Sequence, residues 1–482
     1  MFRPLKDINT ECLTDTLNLV NWQDICKIED INEMVSHFTG YLLWVFDAIA
    51  PIKMVTIKET HYPWITYNIK LFMRRRDEAQ TQARLSKTDS RLNYYKNLKR
   101  QVVQAIHREK SAYFNFHINS NIKNSIVLWK HLNKIIHIKQ KHDQNIPEHL
   151  NDPTMINNFF LNVPSSRDHV SIEAMNFYEC NKFGTSVFSL LPTNEVEILQ
   201  ILCSLKSKAI GVDGISLDML LLSLPRILPV IIKILNASIE TGTFPNLWQT
   251  AIVKPIPKKE NVCELKDLRP ISILPCISKI LERIVCNQLT RFLENNNVLP
   301  LMQSGFRKHH STTTALLDVT DNVLCGMDVG EGTILVLLDF SRAFDTIDRA
   351  LFLSKLKYYG FIFFYGFSDF LTIKWFASYL SNREQMVEVV NGNGSRVLSD
   401  CSTVNTGVPQ GSILGPIIFA LYCADIVNKI KHCKYHIYAD DIQIYISFKP
   451  SEASVAIQNL NDDLSYITQW SESHNLVLNP DK

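Results

Sequence analysis

Apolar positions in the first part of the chain recur at helical spacing. Leu92, Tyr95, Leu98, Val102, Ala105 and Ile106 fall on one 3.6-residue stripe, and residues 1–165 read as mostly helical. Residues 143–187 are polar and punctuated by Pro147, Pro153 and Pro164, the composition of a linker or long loop. The expected organisation is a helical region over 1–165, a linker over 166–187 and a second unit over 188–482, with its core from about residue 238. In that unit Asn194 opens a helix whose apolar face is Ile198, Leu199, Ile201, Leu202 and Leu205, and which stops before the turn Gly211-Val212-Asp213-Gly214. A further helix is expected from Pro229 to Glu240, ended by Gly242. Strand-like runs at Thr250–Val253, Thr333–Leu338, Met386–Val390, Tyr435–Tyr438 and Ile442–Ile446 alternate with helical stretches, so the fold class is α+β. No apolar run reaches the ~18 residues of a membrane span, and no signal peptide is read.

Charge changes this picture at one place. The formal net charge is +2, but from Lys70 to His142 there are 17 Lys and Arg against 4 Asp and Glu, leaving that stretch at +13 and the remainder at −11. Tyr94, Tyr95, Tyr113, Phe114, Phe116 and Trp129 interleave with the cations. Such a mixture suits phosphate, ribose and bases, so the expected partner is a nucleic acid; a merely solvated helical face is the other reading. The eleven cysteines, scattered from Cys12 to Cys433, include no C-x-x-C pair and no zinc spacing, which points to a reducing, intracellular compartment.

The candidate chemistry lies in carboxylates. Thr333–Leu338 is a continuous apolar run, as expected of a strand buried on both faces, and it ends at Asp339. About a hundred residues later Asp440 and Asp441 stand between two short strands, at a hairpin tip. If the hairpin lies beside the first strand, the acids share one small volume, where hard oxygen ligands suit Mg²⁺. Two such ions roughly 3.5–4 Å apart can activate a primer 3′-oxygen and stabilise departing pyrophosphate. Alone, an Asp-Asp hairpin is more often a simple turn. Between the acids runs Gly407-Val-Pro-Gln-Gly-Ser-Ile-Leu-Gly-Pro416, ahead of an apolar helix; its glycines would let backbone approach a substrate, and Gln410 offers an amide.

Taken together, Asp339-Phe-Ser-Arg-Ala-Phe-Asp345, the loop 407–416 and Tyr438-Ala-Asp-Asp441 resemble motifs A, B and C of reverse transcriptases, in that order. The wording resembles the non-LTR (LINE-type) retrotransposons, as do Leu268-Arg-Pro-Ile-Ser-Ile273, Leu281-Glu-Arg283, Gln303-Ser-Gly-Phe-Arg307, Gly211-Val-Asp-Gly214 and Phe244-Pro-Asn-Leu-Trp248. Residues 20–140 more weakly resemble the basic segment joining endonuclease to reverse transcriptase in such elements.

The resemblance implies a right-hand polymerase with fingers and an antiparallel palm sheet backed by helices. It also implies RNA-directed DNA synthesis with two Mg²⁺ ions, an RNA template, a DNA primer and dNTPs, in nucleus or cytoplasm. By the same resemblance Asp339 and Asp440 are the main metal ligands, with Asp441 and the Phe340 carbonyl assisting. Lys258 and Arg269 hold the triphosphate, Gln410 and Gly411 lie near the nascent pair, and Phe344 excludes a ribose 2′-hydroxyl. Lys482 is a candidate motif D proton donor. Two departures are expected to matter. Eight aromatics crowd between Tyr358 and Phe370, where Tyr359-Gly-Phe361 recurs as Tyr365-Gly-Phe367 and suggests an exposed aromatic insertion. The sequence also stops inside motif D, so a thumb is expected to be absent and extension to be short. A degraded or repurposed copy that only binds nucleic acid is the alternative function.

Overall fold

The computed structural model describes residues 3–53, 62, 64–86, 88–120, 129, 146–163, 171–206, 209–361, 367–392 and 394–479. Two compact units emerge, one over residues 54–145 and one that combines residues 3–53 with 146–482.

The smaller unit is a pair of packed helices, α4 (Tyr67–Ser86) and α5 (Asp89–Ser120). Ile69, Ala79 and Ala83 of the first and Leu98, Val102 and Phe114 of the second are buried. The expected stripe on α5 is buried at Leu98 and Val102 but leaves Leu92 41% exposed. Tyr113 and Phe114 pack on Trp64, whereas Tyr94, Phe116 and Trp129 stay exposed among the cations.

The larger unit starts with α1 (Thr10–Asn18), α2 (Trp22–Ile25) and α3 (Ile31–Ile49). Asp30 caps α3 through Asn32 and Glu33, and the buried face Met34, Val35, Phe38, Leu42, Val45 and Phe46 enters the main core. Next come α6 (Pro153–Leu161), α7 (Ile172–Cys180), α8 (Glu195–Ser204) and α9 (Leu217–Thr241). The boundary expected at 166–187 therefore does not divide two packing units. Helices on both sides of it share one core, because α3 presents a wide apolar face that only α9 and its neighbours cover.

Helix α9 starts twelve residues before the expected Pro229 and runs through both Pro225 and Pro229 to the left-handed cap Gly242. Its burial explains this: Leu220, Ile227, Ile231, Ile234 and Leu235 are fully buried, and that packing outweighs two lost backbone bonds.

Two sheets carry the site. The first has order β2-β1-β4-β5, from β1 (Thr250–Pro257), β2 (Leu268–Ile273), β4 (Arg383–Val390) and β5 (Arg396–Leu398), with β6 (Ser402–Val404) also paired to β4. Helix α6 covers it: Ile156 and Phe160 share a small second core with Val253, Leu268, Val387 and Val389. The second sheet is antiparallel, order β3-β8-β7, from β3 (Gly332–Leu338), β7 (Lys434–Tyr438) and β8 (Asp441–Phe448). The remaining helices are α10 (Cys276–Asn295), α11 (Thr312–Asp328), α12 (Arg349–Tyr358), α13 (Phe367–Leu380), α14 (Gly415–Tyr422) and α15 (Ala453–Ser473), of which α11 and α15 pack on this sheet. The mixed α+β architecture agrees with a fingers-and-palm fold.

Two expectations need correction. Strand β3 is not buried on both faces: it is an edge strand, with Leu335 44% and Leu337 63% exposed while Ile334, Val336 and Leu338 pack on the core. The aromatic run is not an exposed patch over its first half. Tyr359 and Phe361 are buried, and Phe361 packs on Phe188 and Phe376. Residues 362–366 of the repeat lie outside the described residues.

Candidate active site

Register brings the acids together. Strand β3 pairs β8 from Gly332↔Phe448 to Leu338↔Ile442, and β7 pairs β8 to Tyr438↔Asp441. The next step of that register sets Asp339 across from Asp441, with Asp440 at the same tip. Asp339 and Asp440 are half-buried and Asp441 is exposed. The tip is sharp because Ala439 adopts φ +61°, a conformation that costs a non-glycine residue energy and that the surroundings must enforce.

The segment after α15 runs along the other side. Leu478 bridges Phe340, Ser341 N–H donates to the Val477 carbonyl at 2.8 Å, and Asn479 N–H donates to the Asp339 carbonyl at 2.8 Å. Asn479 Nδ2 also donates to the Asp339 carboxylate at 3.2 Å. Lys482 lies outside the described residues.

Phe344 projects from the turn after Asp339 and packs on Phe419 of α14, centroids 5.1 Å apart. Its carbonyl accepts from Val408 N–H at 2.9 Å. The 407–416 loop thus rests on the turn that carries the first acid. Two of its glycines permit this close packing. A Cβ on Gly407 (φ +72°) would lie 2.6 Å from Asp345, and one on Gly411 (φ +118°) 2.6 Å from the Ser272 carbonyl. Gln410 donates to Asp345 at 3.5 Å, its carbonyl accepts from Ser272 N–H at 2.7 Å, and it lines a cleft of about 530 Å³ with Pro270, Ser272, Asp345 and Gln385.

Lys258 and Arg269 are exposed on the β1–β2 hairpin. Partial burial, then the nearby Arg269 and Arg342 guanidiniums, push the Lys258 ammonium below its ordinary value. Three cations within mutual influence make a field suited to an anion. Asp345 is pushed up by burial despite the Arg342 and Gln410 contacts.

Three supporting residues escaped sequence reasoning. Arg342, with φ +51°, pairs with Asp345 at 3.0 Å and donates to the carbonyls of Phe159, Phe160 and Asn162, so it caps the C-terminus of α6 and ties that helix to the turn after Asp339. Arg349 donates to the carbonyls of Val404, Thr406 and Gly407. Glu282, fully buried, accepts from Ile413 N–H at 2.6 Å and Leu414 N–H at 3.2 Å, capping the start of α14. Glu282 lay inside a quoted motif, but nothing local assigns a helical Glu to a loop 131 residues away.

The donor chemistry fits a hard divalent cation, since Mg²⁺ takes one or two carboxylates and fills its shell with water and phosphate. Among the described residues no three His, Cys, Asp or Glu side chains form a metal-holding group, so Asp339 and Asp440 would hold such an ion together with water and phosphate.

Residues 256–482 match the family described as reverse transcriptase (RNA-dependent DNA polymerase). The chain is 29% identical over 311 residues to the probable RNA-directed DNA polymerase from transposon BS of Drosophila melanogaster, across 61% of this chain and 32% of that protein. It is 30% identical over 257 residues to the RNA-directed DNA polymerase from mobile element jockey of the same species, across 52% and 26%. The transposon X-element polymerase gives 29% over 308 residues, across 61% and 31%. The chain spans about a third of the length of the curated relatives it matches.

Proposed function

We propose that this chain, whose residues 256–482 match the reverse transcriptase family and which is similar to the non-LTR retrotransposon polymerases, copies RNA into DNA at the site around Asp339. The observation that supports this best is the β3–β8 register, which brings Asp339 to the acid tip between β7 and β8. Reverse transcriptases generally use divalent metal ions. Here the proposed pair is Mg²⁺, held by Asp339 and Asp440 with Asp441 and the Phe340 carbonyl assisting, and its chemistry is to activate a primer 3′-oxygen and stabilise the leaving pyrophosphate.

The protein's own groups supply the positioning. Lys258 and Arg269 receive the triphosphate, and both are exposed on a hairpin tip. Gln410 and Gly411 border the nascent pair, and Lys482 is the candidate proton donor to pyrophosphate. Phe344, packed on Phe419, is the proposed steric gate against a ribose 2′-hydroxyl. Opening that space with Phe344→Val should lower deoxyribonucleotide preference on the order of tenfold or more, because discrimination here is steric. Single-nucleotide extension with paired dNTP and rNTP measures the ratio; an unchanged ratio assigns the gate elsewhere.

The α4–α5 pair is the proposed grip on the RNA template, through exposed Arg and Lys with Tyr94 and Phe116 between them. Affinity for RNA should fall steeply with salt, and removing residues 64–120 should flatten that slope. A deletion that leaves slope and affinity intact would show the charge to be a solvated face.

A further inference from the structure

The Gln303-Ser-Gly-Phe-Arg307 turn has no part in the reaction as described above, yet it is built into the site from two sides. Gln303 forms a parallel bridge with Ile437 of β7. Ile437 N–H donates to the Met302 carbonyl at 2.9 Å, and Ser304 N–H donates to the Ile437 carbonyl at 2.8 Å. The segment is thus a short extra strand along the free edge of β7, the strand that leads to Asp440. Side chains lock it there: Ser304 Oγ lies 2.9 Å from His436 Nε2, and His436 Nδ1 lies 2.9 Å from Asp318 of α11. Gln303 and Ser304 are buried.

Gly305 then meets the tip itself. A Cβ at this position would lie 2.1 Å from the Ala439 nitrogen and 2.7 Å from its Cα, closer than any side chain tolerates. Backbone therefore touches backbone beside Asp440, at a residue whose φ of +61° needs an external constraint. One residue on, Phe306 adopts φ +62°, which throws its ring out of the strand direction and edge-on to Phe344, with centroids 6.3 Å apart and planes at 78°. Phe344 is then held between Phe306 and Phe419.

We propose that the Gln303–Phe306 turn is a positioning element that sets the two halves of the site against each other, Gly305 seating the Ala439–Asp440 tip and Phe306 fixing the ring of Phe344 that judges the sugar. Neither residue touches substrate in this account; each acts through its neighbour. The inference rests on the polymerase reading of the site given above. It predicts a specificity role for Phe306, a residue 47% exposed whose removal leaves the core intact.

The experiment compares the parent chain with Gly305→Ala, Phe306→Ala and Phe306→Tyr in single-nucleotide extension on an RNA template. It uses dNTP and rNTP separately and Mg²⁺ as the titrated ion, with thermal melting as a check on folding. Gly305→Ala should lower the maximal rate on the order of a hundredfold and raise the Mg²⁺ needed, since a shift of about an ångström at the tip is costly. Phe306→Ala should lower the dNTP-to-rNTP ratio on the order of tenfold, and Phe306→Tyr, which keeps the ring edge, should restore it. If Gly305→Ala does not fold, the Phe306 pair decides alone.

A purely structural part for Phe306 would slow both nucleotides alike. An unchanged ratio in Phe306→Ala, or a folded Gly305→Ala with the parent's Mg²⁺ dependence, overturns the proposal while the polymerase reading stands. A parent chain that extends neither nucleotide overturns the polymerase reading, and this proposal with it.

Discussion

Replacing Asp440 or Asp339 with Asn should abolish Mg²⁺-dependent extension, a loss on the order of a thousandfold, while RNA binding stays close to that of the parent. The substitution keeps side-chain volume and removes one anionic oxygen, so the packing of the tip survives and its affinity for a hard cation does not. Asp440 is the more exacting test. It sits on the tip whose backbone Ala439 strains and Gly305 constrains, so its carboxylate has little freedom to be replaced by that of Asp441, which is exposed at the start of β8. Asp339 is also held, through the Asn479 contacts to its carbonyl and carboxylate. Primer extension and filter binding on the same preparations separate the two effects. Extension above about a tenth of the parent rate in either variant would remove that residue from the ligand set.

The site was legible where chemistry forces a local signature. Acids at strand ends and a Gly/Pro loop before an apolar helix are marked by the chain's own periodicity, and both stand where the pattern put them. What was not legible is long-range. Arg342 reads as one more cation until α6 arrives from residues 153–161 with its carbonyls unpaired. Strands β2, β5 and β6 were missed because each draws its order from a partner: β2 is ladder-paired to β1 across a broken turn, and β5 and β6 are three residues each. Strand β3 misled in the other direction. Its unbroken apolar run promised two covered faces, but Leu335 and Leu337 remain exposed, since an apolar residue outside a core is common and only a buried polar one is informative. Proline was likewise a poor start signal in α9, where tertiary burial carried the helix back to Leu217.

The second large effect lies away from the chemistry, where Lys355 is fully buried. Its ammonium is 0% exposed and bonds to the Tyr422 carbonyl and to Asp425 Oδ1 at 2.6 Å. The rings of Tyr178, Tyr422 and Trp470 enclose it at 4.8, 5.0 and 4.9 Å. Asp425 also accepts from Tyr178 and from Trp470 Nε1, and Tyr178 bonds His474 at 2.8 Å, so α7, α12, α14 and α15 meet in one network. Asp425→Ala should cost about 3–5 kcal/mol of stability, because it strands a buried cation, whereas Lys355→Met with Asp425→Leu should cost much less.

Acid should weaken the same network. Burial, then Lys355, hold His474 down from 6.5 to about 3, so it is neutral when folded and binds a proton first when unfolded. Between those values the unfolded chain carries more protons, and stability falls as pH falls from about 6.5 towards 3. Asp425 acts in the same direction at lower pH. Burial raises its pKa, but the Lys355 ammonium and the hydrogen bonds from Lys355 and Tyr178 outweigh that and leave it depressed, so its contribution is complete above the ordinary carboxylate range and lost as it protonates. Urea melts of the parent, the single variant and the double variant at pH 7, with the parent repeated at pH 5 and pH 3, test these statements. A double variant as unstable as Asp425→Ala would mean that the loss comes from packing, and not from the unpaired charge.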